Sequence, residues 1–166
     1  DMDGNTTVIT KAADRAAAVG ILVCNSAGNE GDGSWYYIGA PADGDSVFTI
    51  GAVDINGNSV SYSSHGPTFD GRLKPNIVGQ GAGTGVVTSN GTVAYGNGTS
   101  YSSPLIAGAC ASFMSAFPEL SNMEVMDIIQ STASQADNPD NSMGYGIPNF
   151  AKAYLELKGI DISTEN

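Results

Sequence analysis

The residues whose types could do chemistry are Ser100, Asn29 and the single histidine, His65. Ser100 sits in Gly96-Asn97-Gly98-Thr99-Ser100-Tyr101-Ser102-Ser103-Pro104, between a β-like, glycine-rich region and a run of small apolar residues, Leu105 to Phe117, that predicts a buried helix. At a helix N-terminus, unpaired backbone N–H groups and the positive end of the helix dipole stabilise an oxyanion, so Ser100 is a candidate nucleophile. Thr99 or Ser100 could equally be a plain helix cap. Asn29 lies in Asn25-Ser26-Ala27-Gly28-Asn29-Glu30-Gly31, after a short apolar run, where open α/β sheets place their ligands. Its side-chain amide is a neutral donor suited to a carbonyl becoming an oxyanion, and it would also serve an Asx-type turn bonded to its own backbone.

The elements that must position these residues follow from periodicity. Thr6 to Ala18 predicts a helix with Val8, Ile9, Ala12, Ala13, Ala16 and Ala17 on one apolar face, ended by Gly20. Ile21-Leu22-Val23-Cys24 predicts a strand buried on both faces, and a helix feeding such a strand suggests a parallel α/β sheet. Gly31 to Asp45 reads as loop, Val47 to Val53 as a second buried strand, and Ile77-Val78 as a short apolar piece. Val86 to Ser89 and Val93 to Tyr95 flank Asn90-Gly91, a two-residue hairpin signal.

The helix after Pro104 is so small-sided that it should pack on more than one face, and proline in its first turn costs no hydrogen bond. Ser121 and Glu124 form a capping box that opens a helix to about Ala133, with Val125, Ile128 and Ile129 as its buried stripe. Asn149 to about Lys158 predicts a last amphipathic helix burying Phe150, Tyr154 and Leu157, followed by a tail or linker at 159–166. No internal repeat or second domain is visible.

Composition narrows the function classes. With 166 residues and 41% hydrophobic content, the chain fits one domain with a real core. A net charge of −11 with six Lys plus Arg argues against nucleic acid and anionic membranes, since no basic stripe can neutralise phosphate. No apolar run approaches a membrane span, and the N-terminus has no signal-like core. The chain starts at Asp1 without Met, which reads as a mature product or an excised piece. Cys24 and Cys110 lie in apolar runs without metal-type spacing and read as buried free thiols, with a disulfide as the alternative.

Gly98-Thr99-Ser100-Tyr101-Ser102-Ser103-Pro104 resembles the nucleophile motif of the subtilisin-like serine proteases, the subtilases, usually Gly-Thr-Ser-x-Ala-x-Pro. Ser26-Ala27-Gly28-Asn29-Glu30-Gly31 resembles that family's oxyanion-hole segment, Ala-Ala-Gly-Asn-Glu-Gly. Ile50-Gly51-Ala52-Val53-Asp54, Ser61-Tyr62-Ser63-Ser64-His65-Gly66-Pro67 and Gly144-Tyr145-Gly146 resemble further family segments in the same order. The resemblance covers nearly the whole chain. It implies a three-layer αβα subtilisin-like fold with a mainly parallel sheet, present only as its C-terminal part over residues 1–158.

It further implies a serine endopeptidase acting on a peptide or protein substrate through an acyl-enzyme. Ser100 would be the nucleophile, and Asn29 with the Ser100 N–H the oxyanion donors. Ser26, Ala27 and Gly28 would line the P1 pocket beside Thr99, with Gly39, Ala40 and Pro41, joined by a cis Ala40-Pro41 bond, as its opposite wall. No cofactor or metal is expected: Asp43, Asp45 and Asp54 read as solvated loop acids, with a calcium site as the alternative. Secretion or a cell-envelope location follows from family habit.

The departures concern the base. A subtilase carries its catalytic Asp and His upstream of the oxyanion Asn, and the residues before Asn29 contain no histidine. His65 lies after Asn29, at a position the family leaves variable, and reads as a loop histidine. The Asp and His are therefore expected on a missing N-terminal part of the same domain, leaving this chain inactive alone, with a sheet edge through which it could dimerise. An α/β-hydrolase elbow is excluded by Ser102 where its second glycine belongs, and no histidine follows Ser100. A non-catalytic subtilase-like binding module and a plain α/β structural module are the other readings.

Overall fold

In the structure, a computed structural model, residues 2–160 are described. Their elements run α1 (Val8–Ala18), β1 (Val23–Ser26), β2 (Val47–Val53), β3 (Ile77–Gln80), β4 (Thr84–Val87), β5 (Val93–Gly96), α2 (Thr99–Ala116), α3 (Asn122–Ser131) and α4 (Phe150–Leu157). β1, β2 and β3 form a parallel sheet in that order, with Val23 opposite Val47 and Ile50 opposite Ile77. β4 and β5 form a separate antiparallel hairpin that leads into α2.

All seven residues of β2 are buried, as a continuous apolar run in the middle of a parallel sheet requires. Phe48 and Ile50 of β2 and Ile77 of β3 pack against Ile106, Cys110 and Phe113 of α2. Val125, Met126 and Ile129 of α3 and Ala153 of α4 close the same core from behind. Each buried Val, Ile, Phe or Met side chain among these contributes roughly 1.5–3 kcal/mol. α1 lies outside this cluster, tied to the 42–46 loop: Thr10 Oγ1 donates to Asp43 Oδ1 at 2.7 Å, and Ser46 N donates to Asp14 Oδ1 at 3.2 Å. Asn122, at the start of α3, donates to Ala17 O and Ile21 O and so joins the end of α1 to the core helices.

Several expectations need correction. The apolar face expected on α1 is not buried: Thr10 and Ala17 are, while Val8 and Ile9 are 84% and 56% exposed. β1 is shifted two residues towards the turn and is half-buried throughout, because no strand among the described residues pairs with its free edge. α2 starts at Thr99, in keeping with a helix N-terminus at Ser100, but it buries only one stripe, leaving Leu105 half exposed and Gly108 with open space beside it. The β4–β5 loop has three residues, not two: Thr88 N donates to Thr92 O, and Gly91 at φ 82° makes the turn. In α4 the buried residue is Ala153; Phe150 packs on the core, but Tyr154 and Leu157 are about 40% exposed.

Other readings hold. The Ser121–Glu124 capping box is present, and Ala40-Pro41 is cis, as are Gly66-Pro67 and Lys74-Pro75. Both cysteines are free. Gly159, at φ 67°, follows the end of α4, and 161–166 of the expected tail lie outside the described residues. No described helix is long and apolar enough to cross a membrane.

Candidate active site

β1 delivers the 26–29 turn to the C-terminal end of the sheet, and the hairpin delivers the start of α2 to the same place. Asn29 and Thr99, 70 residues apart, are joined there. Thr99 N donates to Asn29 Oδ1 at 2.9 Å, and Thr99 Oγ1 donates to the same oxygen at 3.0 Å. Gly28 N donates in turn to Thr99 Oγ1 at 3.3 Å. With its carbonyl oxygen so held, the Asn29 side chain lies against Gly98. There Nδ2 would stand 3.5 Å from a side chain at Gly98, had it one. The turn is thus no Asx turn closed on itself; its asparagine is oriented by the helix.

Neither Thr99 nor Ser100 caps α2. The N-cap is Gly98, which makes no side-chain bond. Tyr101 N donates back to Gly98 O, and Thr99 N is taken by Asn29. That leaves the Ser100 N–H as a first-turn donor with no protein acceptor among the described residues. No acidic residue in the first turn of α2 offsets the positive end of its dipole. Thr99 is fully buried, whereas Ser100 and Asn29 are exposed. A rigid buried residue thus holds two open donors beside an open hydroxyl.

The other expected site residues lie alongside. Gly39 N donates to Ala27 O at 3.3 Å, which brings 26–28 and 39–41 together as two neighbouring segments. The Ala27 side chain packs away with Ile38 and Ala42, so Ala27 presents only its backbone to any pocket. Ser64 braces the turn: its Oγ accepts from Glu30 N at 3.0 Å, and its N donates to Gly28 O. Gly28, at φ 116°, cannot carry a side chain, since a Cβ would stand 2.7 Å from Ser64 Oγ.

His65 is engaged elsewhere, its ring stacked on Tyr36 at 4.5 Å. The three loop acids do not form one group. Asp43 is buried and accepts from Gly4 N and Thr10, Asp54 closes its own turn with Asn56 and Asn58, and Asp45 lies 3.9 Å from Arg72.

Sequence reasoning missed two supports. The Tyr101 ring covers Gly96, where a Cβ would fall 2.5 Å from the ring, and so forms a wall beside Ser100. Gly81 O accepts both from Gly98 N and from the Tyr62 hydroxyl, each at 2.8 Å, which fixes the residue before Thr99; burial raises the Tyr62 pKa. Tyr101 occupies the variable position of the nucleophile motif, which carries no signal by itself. Gly81 could have been suspected only from the density of glycines before the motif.

A sequence model of the subtilase family matches residues 1–146. The chain belongs to the subtilase family. Among curated relatives, this subtilase is 39% identical over 142 residues to subtilisin DY of Bacillus licheniformis, covering 85% of this chain and 48% of that protein. It is 31% identical over 148 residues to subtilisin Savinase of Lederbergia lenta, covering 89% of this chain and 51% of that protein. The chain therefore spans about half the length or less of the curated relatives it matches.

Solved structures agree on the fold. The self-cleaved protease domain of PatA superposes with a TM-score of 0.78 at 22% identity, over 98% of this chain and 59% of that one. MycP1 from Mycobacterium smegmatis gives 0.70 at 21% identity, over 90% and 45%. The subtilase α/β fold, with its mainly parallel sheet, is thereby established for this chain.

Proposed function

We propose that this subtilase chain supplies the nucleophile and oxyanion hole of a serine endopeptidase, and that the base comes from a part of the catalytic domain N-terminal to it. The observation that carries the reading is the lock of Asn29 Oδ1 by Thr99, the residue before Ser100, which leaves the Asn29 amide nitrogen as the donor for an oxyanion. Two donors held before substrate arrives stabilise charge without reorganising during the reaction. The shared length with relatives, about half or less of each, and the position of His65 support a base outside these residues.

In this reading Ser100 Oγ attacks the scissile carbonyl carbon of a peptide or protein substrate. The new C–O bond forms while the carbonyl electron pair moves onto oxygen between Asn29 Nδ2 and Ser100 N. The serine proton passes to a histidine, oriented by an aspartate, and from there to the departing amine as the C–N bond breaks. Water then releases the acyl group by the reverse proton route. Ser26 to Gly28 and Gly39 to Pro41 line the site for the residue before the scissile bond, with Thr99 beneath. The free edge of β1 receives the remaining strands of the sheet, and secretion or display at the cell envelope follows family practice.

The test is peptide hydrolysis by the full-length protein. Ser100→Ala should abolish it. Asn29→Ala should lower kcat by ~10²–10³ with little change in KM, a range carried over from subtilisin, for which it was established. Undiminished turnover in Ser100→Ala would remove the proposal, and no turnover by the wild-type full-length protein would leave a binding module.

A further inference from the structure

Tyr101, the residue after Ser100, folds its ring back along the segment that leads into α2. A Cβ built on Gly98 would stand 3.7 Å from Tyr101 Cδ2 and 3.5 Å from Asn29 Nδ2, so the near edge of the ring and the amide border the same spot. A Cβ on Gly96 would stand 2.5 Å from Tyr101 Cζ and 2.7 Å from both Cε2 and the hydroxyl oxygen, so the far half of the ring covers Gly96. The floor under the ring is fixed by neighbouring backbone: Gly96 pairs with Thr84, Asn97 Oδ1 accepts from Gly83 N at 2.8 Å, and Gly98 N donates to Gly81 O at 2.8 Å. The ring is half-buried there, while Ser100 beside it is exposed. No Asp, Glu, Lys, Arg or His occurs between Lys74 and Glu119, so this floor and its wall carry no charge.

We propose that Tyr101 is a specificity-determining residue on the leaving side of the scissile bond, restricting the residue after that bond to a small one such as Gly, Ala or Ser. The inference rests on the peptidase reading above. In that reading the residue before the scissile bond lies against 26–28 and 39–41, and its carbonyl oxygen faces Asn29 Nδ2. The departing residue then lies on the opposite side of the carbonyl carbon, over 96–98. Bare glycine at 96 would leave a recess there for a larger side chain, and the far half of the Tyr101 ring fills it. The ring cannot sink further without pushing the backbone of Gly96, and the uncharged surroundings offer no ion pair to a departing residue. The wall therefore selects by size. One methylene too many against such a surface changes kcat/KM by roughly 10–200-fold.

The test is digestion of a peptide library derived from a bacterial proteome by the full-length protein, with every cut located by mass spectrometry. In the wild type, Gly, Ala and Ser should exceed Leu, Phe and Tyr after the cut by at least about tenfold, corrected for their abundance in the library. Tyr101→Leu ends before Cε and so uncovers Gly96 while still filling the base of the wall. It should reduce that ratio to about threefold or less and leave the preference before the cut unchanged, which a general loosening of the site would not do. Tyr101→Phe keeps the ring and should keep the ratio. Bulky residues as frequent as small ones after the cut in the wild type, or an unchanged ratio in Tyr101→Leu, overturns the inference while the peptidase reading stands. No cleavage by the wild type overturns that reading, and this inference with it. The wild-type profile decides even where a variant does not fold.

Discussion

Thr99 does more for the site than its place in the motif suggests, because its N–H and its hydroxyl both fix Asn29 while its oxygen accepts from Gly28. Thr99→Val keeps shape and backbone but removes the hydroxyl. Loss of a bond of this kind costs about 0.5–1.5 kcal/mol, so kcat should fall up to about tenfold, far less than in Asn29→Ala, with KM nearly unchanged. Equal losses in the two variants would mean that Asn29 is not the donor that Thr99 holds. Asn29 and Ser100 were legible as chemistry from their types and neighbours. The bond between their segments was not, since nothing local signals a contact across 70 residues.

A second residue has a pH signature. Lys74 is buried, its ammonium donating to Val47 O at 2.6 Å, Asn76 Oδ1 at 2.9 Å and Thr49 Oγ1 at 3.1 Å. Desolvation lowers its pKa to about 7, against about 10.4 in an unfolded chain. Between those values the unfolded chain binds the proton and the native one releases it, so stability rises with pH from about 7 to 10, by at most ~1.4 kcal/mol per unit. Denaturant midpoints across that range should climb, and Lys74→Met should flatten the climb. A midpoint that is level in the wild type contradicts this.

At the scale of elements, the start of α2 is set from below by Gly81. A Cβ there would stand 2.6 Å from Ala52 Cβ and 2.9 Å from Gly98 O, so Gly81→Ala must push Gly98 and with it Thr99 and Ser100. Overpacking of this kind costs about 1–3 kcal/mol. A lower melting temperature together with a kcat loss that outlasts the restored fold at low temperature is expected; a purely thermal effect would separate Gly81 from the site.

Elements also show where sequence reading works. β2 was legible because both its faces are covered within the chain, and the capping box of α3 because its signal is local. α1 and α4 were misread in their buried faces, since which stripe of a helix is covered depends on what packs against it. Among the described residues little packs over Val8 and Ile9, and Tyr154 lies at the rim. α2 began earlier than its apolar run because Gly98 and the Thr99–Asn29 bonds start it, not hydrophobicity.

For the molecule as a whole, the bare features cluster. Among the described residues, β1 has an unpaired edge and α2 leaves Leu105 half exposed. The small side chains of α2 were read as packing on more than one face, and under the proposed function the N-terminal part of the domain covers the face left open here. Adding the N-terminal part of the domain should slow hydrogen exchange at β1 amides by at least about tenfold, as edge hydrogen bonds are made and covered. Unchanged exchange would mean that the added part docks elsewhere.

The central claim is that Ser100 is a nucleophile waiting on a base outside this chain. Fluorophosphonate labelling tests it most directly, with the labelled residue located by peptide mapping. The full-length protein should label stoichiometrically at Ser100, Ser100→Ala should not label, and residues 1–166 alone should stay unlabelled. Stoichiometric labelling of Ser100 in the isolated chain, or labelling of the full-length protein at another residue, would contradict the account.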